Sequence, residues 1–323
     1  MSTSTITAGS AVHTAGPARP RPRKRRFDIR SFAMVWGFAA PALIVYVTFV
    51  IVPVGLAAVY SFFNWNGLGP LERFIGIDNY VRALSDPTFL KAIGNNLAIV
   101  LLSLLIQGPV AIGVALLLNR PLRGRTLIRT LIFVPYVLSE VVAALAFKLI
   151  LQPSGPFDAL LASVGLGGLK QLWLADQNVV FWTLFFVLSW KYLGFAILLM
   201  LAGLQGVPDE LFEAAAIDGA SWWQIQRHIT IPLLGPTIRI WAFLSMIGSL
   251  QLFDMVWVLT GGGPVNATVT MATYMMQYGF QRGQLGFGSA VAVILFLISL
   301  VFALLYQRHV LRRDFEGAVG RGA

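Results

Sequence analysis

The sequence predicts an all-α membrane protein of six transmembrane helices, with one long structured loop on its basic side. Three observations carry this. Of 323 residues, 57% are hydrophobic and only 12% charged, about half the charged share of a soluble domain. The apolar residues gather in six runs, each long enough to cross a bilayer as a helix. Lys and Arg collect in short segments that all fall on one side when the six runs are threaded.

The runs lie near residues 33–60, 94–118, 127–150, 179–204, 236–259 and 287–307. The first is far longer than the apolar core of a signal peptide. Residues 1–32 read as a disordered basic arm, rich in Ser, Thr, Ala, Pro and Arg. Residues 33–310 read as one six-span domain and 311–323 as a tail. The arm holds Arg19, Arg21, Arg23, Lys24, Arg25, Arg26 and Arg30. The second loop adds Arg120, Arg123 and Arg125, and the tail Arg308, Arg312, Arg313 and Arg321. These placements put both termini in the cytoplasm of an inner-membrane protein. They also account for the net charge of +10 as membrane-edge anchoring, so nucleic acid is not an expected partner.

There is no cysteine, and His13, His228 and His309 are scattered. Neither thiolate chemistry nor a metal site is expected. Pro41, Pro53, Pro109 and Pro135 fall within the spans. Each frees a backbone carbonyl that needs another partner in lipid.

The loop over 204–235 is the most informative segment. Pro208 suits the first position of a short helix, with Asp209 and Glu210 in its first turn. Gly219 suits a left-handed C-terminal cap. Ser221 and Gln224 have the spacing of a capping box for a second short helix. On that helix Trp222, Ile225 and Ile229 share one face, and Pro232 closes it. The loop is acidic, with Asp209, Glu210, Glu213 and Asp218 against Arg227, which implies a basic partner. An amphipathic helix lying on the membrane is the alternative reading of composition alone.

Glu213-Ala-Ala-x-x-Asp218-Gly219-Ala220, followed after eight residues by Ile229-x-Ile231-Pro232, resembles the EAA loop of ABC importer membrane subunits. Ile231 stands where Leu is usual. Phe62 to Tyr80, Leu259-Thr-Gly-Gly-Gly-Pro264 and Gly286-Phe-Gly-Ser-Ala290 resemble the carbohydrate-uptake branch, in particular the first membrane subunit of maltose and glycerol-phosphate importers. The resemblance covers roughly residues 33–315 and implies a type I importer permease fold with a coupling helix. It implies that Glu213, Ala214, Ala215, Asp218, Gly219, Ala220, Ile229 and Pro232 couple the chain to an ATPase. It further implies a second permease subunit, two ATPase subunits and an extracytoplasmic sugar-binding protein. No Gly-x-x-x-x-Gly-Lys-Ser/Thr segment is present, so ATP and Mg would be used by the partner ATPase and not by this chain. The chain is then a transport subunit and not an enzyme.

Ionisable residues inside spans mark functional positions by default. Glu140, Lys191 and Asp254 lie deep, whereas Lys148 and Arg239 lie near span ends, where snorkelling suffices. The same resemblance places the substrate path at Tyr136, Glu140, Lys191, Tyr192, Phe195, Ser245 and Ser249, beside Leu188 and Leu252. An ion-coupled secondary transporter accounts for the buried charges but shows internal repeats, which this sequence lacks. A membrane-embedded enzyme finds no catalytic constellation here.

Overall fold

A computed structural model of the chain describes residues 29–120 and 123–311. The basic arm through residue 28 and the tail beyond 311 lie outside the described residues. Two compact units are present, one through Pro53 and one from Val54 onward.

The elements run in chain order as α1 (Trp36–Tyr60), α2 (Asp78–Ser85), α3 (Pro87–Leu118), α4 (Arg125–Val137), α5 (Glu140–Ile150), α6 (Pro156–Ser163) and α7 (Val180–Leu204). They continue as α8 (Asp209–Ile217), α9 (Trp222–Leu233), α10 (Gly235–Leu250), α11 (Asp254–Leu259), α12 (Met271–Tyr274) and α13 (Leu285–Val310). Four of these helices, α1, α3, α7 and α13, are long and apolar enough to cross a membrane alone. The α4–α5 and α9–α10 pairs each qualify as one bent span, which brings the number to six. The only β pairing among the described residues is an isolated bridge between Phe63 and Phe74.

Three prolines shape the helices in one way. Pro53, Pro109 and Pro232 each lie two residues beyond a π-helical turn, at Val47–Ile51, Ser103–Gln107 and Gln226–Thr230. A proline lacks the amide hydrogen and its ring crowds the carbonyl four residues earlier. A wider turn just before it relieves that clash without ending the helix. Pro232 lies one residue before the end of the loop helix, close to the stop its sequence position predicts. Helix α9 ends at Leu233, and the chain bends by 63° on entering α10 at Gly235.

Two predicted spans are interrupted. The third turns through 98° between α4 and α5, where Leu138 and Ser139 are extended, with ψ near 144° and 143°. The fifth stops as a helix at Leu250 instead of running to residue 259, and α11 follows a short irregular stretch. Broken backbone at membrane depth needs internal partners, and here it has them. Asn96 of α3, with 0% of its surface exposed, donates from Nδ2 to the carbonyls of Ser249 (2.6 Å) and Leu250 (3.3 Å). Its Oδ1 accepts from the Met271 amide at 2.9 Å. Thr270 Oγ1 donates to the Leu252 carbonyl at 2.9 Å. Asn95 reaches the Ala267 and Val269 carbonyls. Two adjacent asparagines thus hold the end of α10 and the start of α12.

Helices α4 and α7 lie in close contact. A Cβ on Gly194 of α7 would stand 2.2 Å from the Ile132 carbonyl oxygen of α4. Only a residue without a side chain lets the two backbones approach this far.

Candidate functional site

The loop between α7 and α10 folds as its local signals require. Helix α8 begins at Asp209, one residue later than predicted, with Pro208 as its N-cap. Asp209 and Glu210 occupy the first turn, at the positive end of the helix dipole. Gly219 ends the helix at φ +76°. The amides of Gly219 and Ala220 return to the carbonyls of Ala216 (3.1 Å) and Ala215 (3.0 Å), the paired bonds of a left-handed cap. Ser221 and Gln224 then close a capping box on α9.

No residue of α8 is buried. Glu213, Ala214 and Asp218 are exposed and Ala215 is half-buried. Ile217 is 86% exposed and lies beside them. This is a helix presented outward, with carboxylates at both ends and the exposed Ile217 side chain beside Asp218. On α9 the Trp222, Ile225 and Ile229 stripe is only partly covered, while Gln226 and Thr230 are buried. The Arg120 guanidinium sits 4.3 Å from the Trp222 ring centre, so the basic second loop and the start of α9 meet.

A cavity of about 270 Å³ opens among α3, α4, α7 and α10. Helix α4 contributes Tyr136, and α7 contributes Leu188, Tyr192 and Phe195. Helix α10 brings Trp241, Leu244, Ser245, Gly248 and Ser249, with Leu252 just beyond it. Helix α3 adds Ile99, Ser103 and Gln107. Tyr136 stacks on Phe195, centroids 4.9 Å apart and planes 19° apart, and meets Tyr192 edge-on at 6.2 Å. The wall is thus aromatic on one side and set with hydroxyls and an amide elsewhere.

Glu140 and Lys191 are not on that wall. The Tyr192 hydroxyl donates to the Glu140 carboxylate. Lys191 is 2% exposed and its ammonium donates to the Leu138 carbonyl at 2.5 Å, at the break between α4 and α5. Both charges are directed at this protein's own groups. Asp254 is exposed at the start of α11. The Lys148 ammonium, in the last turn of α5, donates to the Val258 carbonyl at 3.4 Å. Ser103, Gln107 and Trp241 escape the sequence reading, because hydropathy shows α3 and α10 as lipid-compatible helices and gives no bearing on where each residue points.

Residues 107–314 match the family described as binding-protein-dependent transport system inner membrane component. A probable ABC transporter permease protein of Pyrococcus horikoshii is 37% identical, over 83% of this chain and 92% of its own length. The multiple sugar-binding transport system permease protein MsmF of Streptococcus mutans is 36% identical, over 87% and 96%. The arabinooligosaccharides transport system permease protein AraP of Bacillus subtilis is 33% identical, over 95% and 97%. Among solved structures, a chain of a bacterial ABC transporter involved in the import of the acidic polysaccharide alginate superposes with a TM-score of 0.78. It is 25% identical, and the match covers 88% of this chain and 97% of that one. On family match, relatives and fold together, the chain belongs to the binding-protein-dependent transport system inner membrane components, as a multi-pass permease subunit of an ABC importer and not an enzyme.

Proposed function

We propose that this chain forms one half of the path by which a saccharide crosses the membrane. The observation that carries this reading is the make-up of the cavity wall. Tyr136, Tyr192 and Phe195 offer flat faces to the apolar side of a sugar ring, and Ser245 and Ser249 offer hydroxyls for its polar rim. Sugar systems among the relatives support the same class.

A second permease completes the path. An extracytoplasmic binding protein delivers the sugar, a reading supported by the alginate importer's structure with an oligosaccharide-bound periplasmic protein. Two separate ATPases supply the energy, one of them docking on α8. Glu213 and Asp218 face a basic cleft on that ATPase, Ala214 and Ala215 allow close approach, and Gly219 and Ala220 fix the turn into α9. Ile229 and Pro232 continue the connection toward α10. The contact of Arg120 with Trp222 supports placing the basic second loop on the ATPase side, with both termini there.

Sugar uptake by vesicles holding the complete importer tests the reading. Tyr192→Ala and Glu140→Gln are expected to alter apparent affinity or rate, the first by removing a wall residue and the second by weakening its anchor. Unchanged uptake in both removes the cavity from the path.

A further inference from the structure

The wall contributed by α3 is unlike the rest. Ser103 is 6% and Gln107 is 7% exposed, and both line the cavity. Among the described residues neither side chain has a hydrogen-bond partner. Neither belongs to the fully enclosed unpaired groups, such as those of Ser189 and Ser299, so their polar atoms open on the cavity. The Gln107 amide is the richer of the two. It holds two donors and an acceptor, and these are open to a ligand that enters the volume.

The backbone has been altered to put it there. In an unbroken α-helix, Ile99 and Gln107 would lie about 80° apart around the axis. The π turn at Ser103–Gln107 takes up one extra residue and cuts that to about 20°. Ile99, Ser103 and Gln107 then form one line along the cavity. The next residue, Gly108, has no side chain, and a Cβ there would stand 2.7 Å from the Trp241 ring. Trp241 therefore closes against α3 directly below the amide, and Gln107 is left facing the open volume.

We propose that Gln107, with Ser103 one turn before it, hydrogen-bonds the hydroxyls of the transported sugar and sets which hydroxyl pattern is accepted. The inference rests on reading the cavity as the sugar's path. An amide pairs with a hydroxyl in both directions, giving to its oxygen and taking its hydrogen. A site built this way rejects an analogue lacking that hydroxyl, because its own groups are then left unpaired. The aromatic faces of α4 and α7 recognise that a sugar ring is present, and Gln107 reads its stereochemistry.

The test has two stages. Uptake of radiolabelled maltose, trehalose, lactose and raffinose by the complete importer identifies a carried neutral sugar. Where none of these is carried, the panel is widened to monosaccharides, arabino-oligosaccharides and alginate fragments, and carriage of no saccharide in it overturns the saccharide reading and this inference with it. Binding of the carried sugar and its monodeoxy analogues is then measured on the purified importer held with ATP and vanadate. Gln107→Leu is expected to weaken sugar binding about three- to tenfold, the worth of one hydrogen bond. It is also expected to bind one deoxy analogue as well as the parent sugar, although the unaltered protein rejects that analogue. Ser103→Ala is expected to move affinity the same way by less. Should Gln107→Leu fail to assemble, Gln107→Asn, which withdraws the amide by one methylene, carries the same comparison. Unaltered affinity and unaltered discrimination in an assembled variant at both positions overturn the assignment, while sugar uptake itself leaves the function standing.

Discussion

The ammonium of Lys191 lies 2.5 Å from the carbonyl oxygen of Leu138. This contact ties α7 to the turn where the third span breaks. Leu138 and Ser139 are extended, so the Leu138 carbonyl has left the helical ladder and needs a donor. Lys191 supplies it from one turn before Gly194, where the two backbones meet. The cation therefore serves the bend and not the cavity wall.

Replacing it separates those roles. Lys191→Met leaves the carbonyl unpaired, at a cost of about 1–3 kcal/mol, offset in part because an ammonium no longer has to be buried. The expected result is a small drop in the melting temperature of the purified importer and a severalfold slower uptake. Relative uptake of different sugars is expected to stay the same. A changed sugar preference would show that Lys191 touches the substrate after all.

The cap at Gly219 makes the coupling loop testable. Proline at 219 cannot reach φ +76° and has no amide to return to Ala216. Glu213→Lys reverses the charge on the exposed face of α8. The two changes together are expected to abolish co-purification of the ATPase while the chain still inserts in the membrane. ATPase recovered at the usual ratio with the double variant would sink the docking assignment.

Asp86, the N-cap just outside the α3 span, offers a pH-dependent prediction. Burial pushes its carboxyl up. The Tyr274 hydroxyl at 2.8 Å and the amides of Thr88 and Phe89 outweigh that and hold it below its ordinary value of 3.8. A carboxyl depressed in the folded state stabilises the fold above its unfolded value and loses that contribution as pH falls through the folded one. Asp86→Asn is therefore expected to melt below the unaltered protein at neutral pH. The gap is expected to narrow as pH falls below 3.8, read from melting curves in detergent. A gap that stays constant down the whole pH range contradicts a role for the charge.

Much of this architecture is legible in the residues, and the illegible parts share a cause. Span lengths follow from apolar runs, and the caps at Gly219 and Ser221 follow from neighbours within four residues. The break at Leu138 is not local. Pro135 lies inside α4, and the turn comes three residues later, where Lys191, 53 residues away, holds the freed carbonyl. The early end of α10 likewise depends on Asn96 from another span. Hydropathy gives no bearing for Gln107 on α3, and only the π turn at Ser103–Gln107 brings it into line with Ile99. Tyr136, Tyr192, Phe195, Ser245 and Ser249 meet at one cavity, whereas Glu140 and Lys191 stand behind it, where a map of positions cannot separate wall from support.

The path through the cavity has a direct test, because the chain has no cysteine. Ser245→Cys places a lone thiol on the wall, and labelling by a small water-soluble thiol reagent can be read by mass spectrometry on this chain's own peptide. In the complete, transport-active importer, saturating amounts of the carried sugar with its binding protein and ATP are expected to slow that labelling severalfold. A labelling rate indifferent to the sugar, in a variant that still transports it, contradicts the account.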